Sequence, residues 1–272
     1  MKKRVVTGAV LIVGLILILW ANIPLLDTIF ITALAVVGIY EYNKAFKSAG
    51  YHPISAYSYL SCAAILLIGI GIQSDQTVLM ARVLIPIILM CTFIYSILRK
   101  LKVTVIDVAV TVLSIIYIPF FFAFLKLILM MEYGRLFIWF VIMGAFACDT
   151  CAYIIGCKFG KRKLCPDVSP KKTVEGSIAG IIGVVISYIV IYFIAKYAIG
   201  LNLNIWIIIL MAVVSGIVGQ FGDLAASSIK RFCKIKDFGT IMPGHGGVLD
   251  RCDSILFVAP IVYMFIKIFM GM

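Results

Sequence analysis

Residues 177–198 read SIAGIIGVVISYIVIYFIAKYA, the clearest indication of fold class in the chain. This stretch contains one charged side chain, Lys196, and no proline. An α-helix rises about 1.5 Å per residue, so about 20 apolar residues cross the roughly 30 Å of hydrocarbon in a bilayer. The stretch therefore predicts a transmembrane helix.

Further apolar stretches of similar length lie on both sides of this segment. Of all residues, 64% are hydrophobic and 13% are charged, which leaves too few charged side chains to cover a soluble protein of this size. A transmembrane barrel would show short alternating strands instead of long apolar runs. We predict an all-α polytopic membrane protein in which residues 1–272 form one integral-membrane domain, with N-terminal helices in 1–135 and the remaining helices and the long polar loops in 136–272. About nine transmembrane helices are predicted, near residues 5–22, 26–42, 55–73, 80–98, 104–128, 135–157, 177–198, 203–229 and 254–271.

The distribution of basic residues supports this count of spans. With a cytoplasmic N-terminus, the inner segments carry 19 of the 24 Lys and Arg residues and the outer segments carry 5. Such an excess on one side is typical of cytoplasmic loops. Membrane topology therefore accounts for most of the net charge of +12, and we predict no nucleic-acid partner. The five outer residues are Arg82, Lys126, Arg135, Lys196 and Lys267.

Polar residues cluster near the cytoplasmic end of the eighth predicted span. Asp223, Ser227 and Lys230 are spaced by four and three residues, which places them on one face of a helix. Gln220 and Arg231 extend this face. A carboxylate inside an apolar span is costly, so Asp223 indicates a functional site or a charge partner. The alternative for the two basic residues is a helix end whose long side chains reach the membrane surface.

The segment after this helix is rich in glycine. Residues 243–247 read Pro-Gly-His-Gly-Gly, a backbone that can approach an anion closely and cannot form a spanning helix. Asp250 and Asp253 follow at the predicted start of the last helix, where a spacing of three favours one face. The alternative is that one of them only caps that helix. For His245, phosphate contact, acid–base catalysis and a structural hydrogen bond all remain open.

A second inner segment, residues 158–176, is basic. It contains Lys171, Lys172 and Thr173 shortly before a predicted helix, and this combination suits a phosphate-rich ligand. The alternative is a loop that only sets topology or contacts anionic lipids. Hard oxygen ligands at Asp223, Asp250 and Asp253, together with these cations, would suit Mg²⁺ holding a polyphosphate. These acidic and basic residues together therefore indicate phosphoryl or nucleotidyl transfer.

Three stretches of the chain contain motifs with many polar residues. Residues 227–253 contain Ser-x-Ile-Lys-Arg, Lys-Asp-x-Gly and Pro-x-His-Gly-Gly-x-x-Asp-Arg-x-Asp. Residues 149–153 read Asp-Thr-x-Ala-Tyr and residues 169–176 read Ser-Pro-Lys-Lys-Thr-x-Glu-Gly. These motifs, together with the pair Gly222-Asp223, resemble the phosphatidate cytidylyltransferase family, also called CDP-diacylglycerol synthases. Met242 and Cys252 depart from the family pattern, at uncharged positions.

The resemblance implies that CTP and phosphatidate are converted to CDP-diacylglycerol and pyrophosphate in phospholipid biosynthesis. It also implies a Mg²⁺-dependent homodimer among the lipids of the bacterial inner (plasma) membrane, with its active site toward the cytoplasm, and it leaves a second metal ion open. Catalytic roles are expected for Asp223, Asp250, Lys230 and Arg231. Metal ligands are expected at Asp223, Asp250 and Asp253. Substrate binding is expected at Asp149, Lys171, Lys172, Thr173, Ser227, Lys236, His245, Gly246, Gly247 and Arg251.

Two other classes of function remain as alternatives. An ion-coupled transporter would explain the spans and Asp223, but not a basic, glycine-rich inner loop joined to three acids. A related lipid or polyprenol kinase, or a cytidylyltransferase acting on another lipid phosphate, would use the same inventory. CDP-alcohol phosphotransferases fit less well, because their acidic motif spaces its aspartates by four residues and Asp250 and Asp253 are three apart.

Overall fold

A computed structural model describes residues 14, 17–18, 20–70, 75–100, 102–241 and 246–271. Most of the predicted first span, as well as His245, lies outside these residues. The described helices are α1 (Pro24–Ser48), α2 (Ser55–Leu60), α3 (Ala63–Ile70), α4 (Asp75–Leu98), α5 (Val105–Ile115, continuing through a π-helical turn to Leu129), α6 (Gly134–Phe159), α7 (Val174–Ile194, with a π-helical turn to Ile199), α8 (Ile205–Phe232) and α9 (Leu249–Phe265, with a π-helical turn to Met270).

Six of the described helices, α1 and α5 to α9, are long and apolar enough to cross a membrane. Two shorter apolar stretches, Ser55–Gly69 and Val83–Leu98, coincide with spans predicted near 55–73 and 80–98. The prediction of a polytopic helical membrane protein is therefore confirmed. The count of nine spans and the cytoplasmic N-terminus stay predictions.

The basic segment between α6 and α7 forms a β-hairpin, which the sequence analysis did not predict. Strand β1 (Lys163–Cys165) pairs antiparallel with β2 (Ser169–Thr173), with Lys163 opposite Thr173. The Thr173 hydroxyl accepts a hydrogen bond from the Gly176 N–H at 3.2 Å and so caps α7. Polar strands this short lack the apolar alternation by which a strand is recognised, so hydropathy gave no signal here.

The chain divides into two compact units, residues 1–127 with 232–251, and residues 128–231 with 252–272. In the first unit the Tyr42 hydroxyl of α1 donates to the carbonyl of Val110 in α5 at 3.4 Å. Lys126 is 1% exposed, and its Nζ donates to the carbonyl of Pro24 at 3.1 Å. Lys126, which sequence analysis assigns to an outer segment, therefore makes an internal hydrogen bond instead of presenting an exposed charge.

Glycines bring the helices of the second unit close together. The repeat of Gly216, Gly219 and Gly222 in the sequence predicts close backbone approach on α8. The structure confirms it, because a Cβ on Gly216 would lie 3.2 Å from the Ile181 Cα, and one on Gly222 would lie 2.6 Å from the Asp253 carbonyl oxygen. The last contact places the backbone of Asp223 beside that of Asp253.

Candidate active site

Two carboxylates of the second unit lie near each other where α8 packs on α9. Asp253 is 6% exposed, and one of its carboxylate oxygens accepts the Ser254 N–H at 2.8 Å. Asp223, Asp149 and Lys230 all lie within electrostatic range of this carboxylate. The structure therefore gathers four of the predicted site residues into one charged cluster.

Lys172 supplies a second cation to this cluster. Its Nζ lies 2.5 Å from Asp223 Oδ2, and both side chains are about a quarter exposed, at 25% and 27%. The Ser227 hydroxyl donates to the other oxygen, Asp223 Oδ1, at 3.4 Å, one helical turn further along α8. The polar face that the sequence predicts for α8 is therefore joined by a hydrogen bond between Ser227 and Asp223. The Asp223 carboxylate also pairs with the positive charge of Lys172.

The β-hairpin explains why Lys172 reaches Asp223. Successive side chains of a strand point to opposite faces, so Lys171 and Lys172 diverge. Lys171 is exposed and Lys172 is partly buried. Thr173 is 6% exposed and caps α7, which fixes the end of the strand immediately after Lys172. Glu175 accepts hydrogen bonds from the backbone N–H groups of Lys161 and Arg162 and so holds the start of β1 at the same open end of the hairpin.

Gln220 joins α8 to the start of α7. The Ser177 hydroxyl donates to Gln220 Oε1 at 2.5 Å, and Gln220 Nε2 donates to the Ser177 carbonyl at 3.1 Å. Gln220 lies three residues before Asp223, on the same face of α8. This paired contact keeps the helix that carries Asp223 in register with the helix that follows Lys172.

In the first unit, Asp250 organises the glycine-rich segment. Its Oδ2 accepts the Phe238 N–H at 2.8 Å and the Gly247 N–H at 3.0 Å. Gly246 has a φ of +86°, a left-handed conformation that glycine adopts without strain. One oxygen of Asp250 therefore binds the backbone both before and after residues 242–245, at Phe238 and at Gly247.

Glu41 of α1, which the sequence analysis missed, caps the last helix. Its carboxylate accepts the Val248 N–H at 3.1 Å and the Leu249 N–H at 2.9 Å, and the residue is 1% exposed. Glu41, and neither Asp250 nor Asp253, accepts the first N–H groups of α9, so the alternative that one of these aspartates caps the helix is wrong. An available signal was overlooked, because Glu41 is an acid inside a predicted span, as Asp223 is.

Three basic residues of the predicted site lie at the surface. Arg231 is exposed, and its Nε donates to the carbonyl of Val168 at 3.2 Å in the bend of the hairpin. Lys236 and Arg251 are exposed. Cys233, directly after the end of α8, is 4% exposed, and burial raises the pKa of its thiol.

The donor set fits a Mg²⁺ ion that is completed by its substrate. Within the described ranges, no three His, Cys, Asp or Glu side chains converge tightly enough to hold a metal by themselves. Mg²⁺, however, is usually bound by one or two carboxylates together with substrate phosphates and water. Asp223 and Asp253 provide such carboxylates, and the Lys172 ammonium at Asp223 shows that this position attracts a cation.

Comparison with known proteins identifies the family. Residues 2–269 match the model described as "Cytidylyltransferase family". The chain belongs to the cytidylyltransferase family. It is accordingly a nucleotidyltransferase, as its motifs predicted.

Curated members of the cytidylyltransferase family resemble the chain along much of its length. A phosphatidate cytidylyltransferase of Bacillus subtilis is 32% identical over 279 residues, which cover 99% of this chain and 98% of the relative. Relatives with the same name from Staphylococcus haemolyticus and Staphylococcus aureus are 39% and 36% identical, each over 62% of both chains. The predicted resemblance to phosphatidate cytidylyltransferases is therefore confirmed.

Proposed function

We propose that this protein transfers CMP from CTP to phosphatidate, giving CDP-diacylglycerol and pyrophosphate for phospholipid biosynthesis. The observation that carries the proposal is the Lys172–Asp223 ion pair beside Asp253, in a chain of the cytidylyltransferase family. The near full-length relative from Bacillus subtilis is a phosphatidate cytidylyltransferase, which supports phosphatidate as the acceptor.

The chemistry needs charge neutralisation and positioning more than a strong base. A phosphatidate phosphate oxygen attacks the α-phosphorus of CTP, and the bond from that phosphorus to the oxygen bridging the β-phosphorus breaks. The electron pair of the broken bond leaves with pyrophosphate. Because the attacking oxygen is already anionic, no side chain has to remove a proton from it. Cations that contact the phosphates stabilise the charge spread over them in the transition state.

We assign separate roles in binding the phosphates and in positioning to the side chains of the cluster and its surroundings. Lys172 and Lys230 neutralise the phosphates of the substrates, with Arg231, Lys236 and Lys171 contributing from the surface. Ser227 orients the Asp223 carboxylate, while Thr173 acts through the backbone position that it gives Lys172. Further substrate contacts are proposed at Asp149, His245, Gly246, Gly247 and Arg251.

Mg²⁺ is the proposed cofactor. Asp223 and Asp253 would hold it, and Asp250 is added because it lies three residues before Asp253 on the same helix. Bound there, the ion would withdraw charge from the triphosphate. One carboxylate oxygen of Asp250 accepts two backbone N–H groups, which orient the side chain.

The cellular setting is also part of the proposal. We place the protein in the bacterial inner membrane as a homodimer, with nine spans, a cytoplasmic N-terminus and an active site that faces the cytoplasm. The bias of 19 against 5 basic residues supports this orientation. CTP is a cytosolic nucleotide, which a site at the inner face would meet directly.

Turnover by purified protein tests the proposal. In detergent with labelled CTP, phosphatidate and Mg²⁺, we expect lipid-linked CMP and pyrophosphate in equal amounts. Asp223→Asn removes the charge that binds cations and should lower kcat by about 100- to 1000-fold. The exposed Glu132 provides a matched control, because Glu132→Gln makes the same chemical change away from the site and should keep wild-type turnover.

The alternatives give different results in the same assay. A lipid kinase would transfer the γ-phosphoryl group of a nucleotide to lipid and would release no pyrophosphate. A transporter would leave CTP intact. Either result, or full activity in Asp223→Asn, would contradict the proposal.

A further inference from the structure

Glu41 is a buried carboxylate to which neither the sequence motifs nor the proposed mechanism assigns a role. It lies in α1, far along the chain from the motif residues, and is 1% exposed. A buried carboxylate is costly unless hydrogen bonds compensate for its lost hydration. The contacts that compensate for it therefore indicate what Glu41 does.

Those contacts are backbone N–H groups at the start of α9. Val248 N donates to Glu41 Oε1 at 3.1 Å and Leu249 N donates to Glu41 Oε2 at 2.9 Å. The first N–H groups of a helix have no partner within it and carry partial positive charge, so a carboxylate is well suited to cap them. Glu41 thus fixes the beginning of the helix whose first turn carries Asp250.

The same carboxylate also contacts the segment that precedes α9. A Cβ on Gly239 would overlap Glu41 Oε1, and a Cβ on Gly247 would overlap Glu41 Oε2. These two glycines flank residues 242–245, so Glu41 lies against the glycine-rich segment on both sides of that stretch. Glycine at both positions is explained by the space that this carboxylate requires.

Asp250 is held by the same segment. Its Oδ2 accepts N–H groups from Phe238 and Gly247, which are direct neighbours in sequence of Gly239 and Val248. Any shift of the segment away from Glu41 therefore moves the donors that orient the Asp250 carboxylate.

We propose that Glu41 is a positioning residue for nucleotidyl transfer, whose carboxylate clamps the backbone at Gly239, at Gly247 and at the start of α9 so that Asp250 is held for catalysis. The inference rests on the proposed function, in which Asp250 is a metal ligand. A carboxylate is required, because only its two oxygens can accept both N–H groups at once.

The isosteric variant Glu41→Gln tests the clamp with little change in volume. One amide oxygen can accept one N–H, and the amide NH₂ faces the other N–H group. We expect kcat to fall about 100-fold, as for a catalytic group misplaced by about 1 Å, with the KM for phosphatidate unchanged. Amide hydrogen exchange at 248 and 249 should accelerate, while the exchange of α6 and α7 stays at the wild-type rate.

Gly239→Ala tests the same contact from the residue that packs against the Glu41 carboxylate. Its added methyl should displace the carboxylate and lower kcat as Glu41→Gln does. In a Glu41→Ala background, Gly239→Ala should cost little more, because the space is then empty. Additive losses in the double variant would overturn the clamp, as would wild-type kcat together with wild-type exchange in Glu41→Gln.

The exchange measurement separates this inference from the proposed function. If the wild-type protein forms no CDP-diacylglycerol, the proposed function fails, and exchange at 248–249 still decides whether Glu41 clamps the helix. If Glu41→Gln lowers only the unfolding temperature and the folded protein keeps its kcat, Glu41 serves stability alone and the positioning role is rejected. Glu132→Gln again provides the control for an ordinary loss of charge.

Discussion

Lys171 and Lys172 are neighbours of identical chemistry with different surroundings. Lys172 pairs with Asp223, whereas Lys171 is exposed on the opposite face of β2. A cation held beside the reacting phosphates stabilises the transition state far more than one that is free in solvent, where water screens its charge. The pair therefore provides an internal comparison between a site cation and a surface cation.

Lys172→Ala should lower kcat/KM for CTP by about 100-fold, and Lys171→Ala should change it by less than about threefold. Steady-state kinetics in detergent at saturating phosphatidate provide the measurement. Lys172→Arg, which keeps the charge, should recover part of the loss. Equal losses in the two alanine variants would contradict the distinction between Lys172 as a site cation and Lys171 as a surface cation.

At the scale of elements, the packing of α8 on α9 depends on Gly222. The Asp253 carbonyl and the Phe257 side chain occupy the space that a Cβ at this position would need. An added methyl group must push the helices apart, because a carbonyl of the α9 backbone cannot rotate away as a side-chain tip does. Such a displacement separates Asp223 from Asp253.

Gly222→Ala should therefore destabilise the protein by about 1–3 kcal/mol and reduce turnover of the molecules that remain folded. Thermal unfolding in detergent and kcat per folded molecule measure the two effects. Ser228→Ala, at an exposed position of the same helix, should change neither. Wild-type activity in Gly222→Ala would show that the spacing of the two carboxylates is not critical.

At the scale of the whole molecule, the charge bias predicts which face meets the cytoplasm. Basic side chains are retained on the cytoplasmic side during insertion, which places the hairpin around Lys171 inside. The segment between α7 and α8, including the exposed Asn202, is then outside. The two segments flank a single helix, α7, so they must label from opposite sides if α7 spans the membrane.

In a cysteine-free background with retained activity, Asn202→Cys should react with a membrane-impermeant maleimide in intact cells. Lys171→Cys should react only after the cells are permeabilised. The reverse pattern would invert the topology, and labelling of both positions in intact cells would show that α7 does not span. Alkylation measured by a shift in electrophoretic mobility distinguishes these outcomes.

The amino-acid sequence by itself determined that this is a helical membrane protein, and it determined most helix bounds and the acidic and basic residues of the cluster. These properties are local, since hydropathy and motif spacing depend on residues that are close together in the chain. Only the tertiary structure decided which of two adjacent lysines meets Asp223, and that Asp250 orders a backbone segment. It also decided that Glu41 caps a helix more than 200 residues away, at a separation of 207 from Val248. A carboxylate can accept any N–H group that folding brings near, so its partner is set by helix packing and leaves no periodic trace in the sequence.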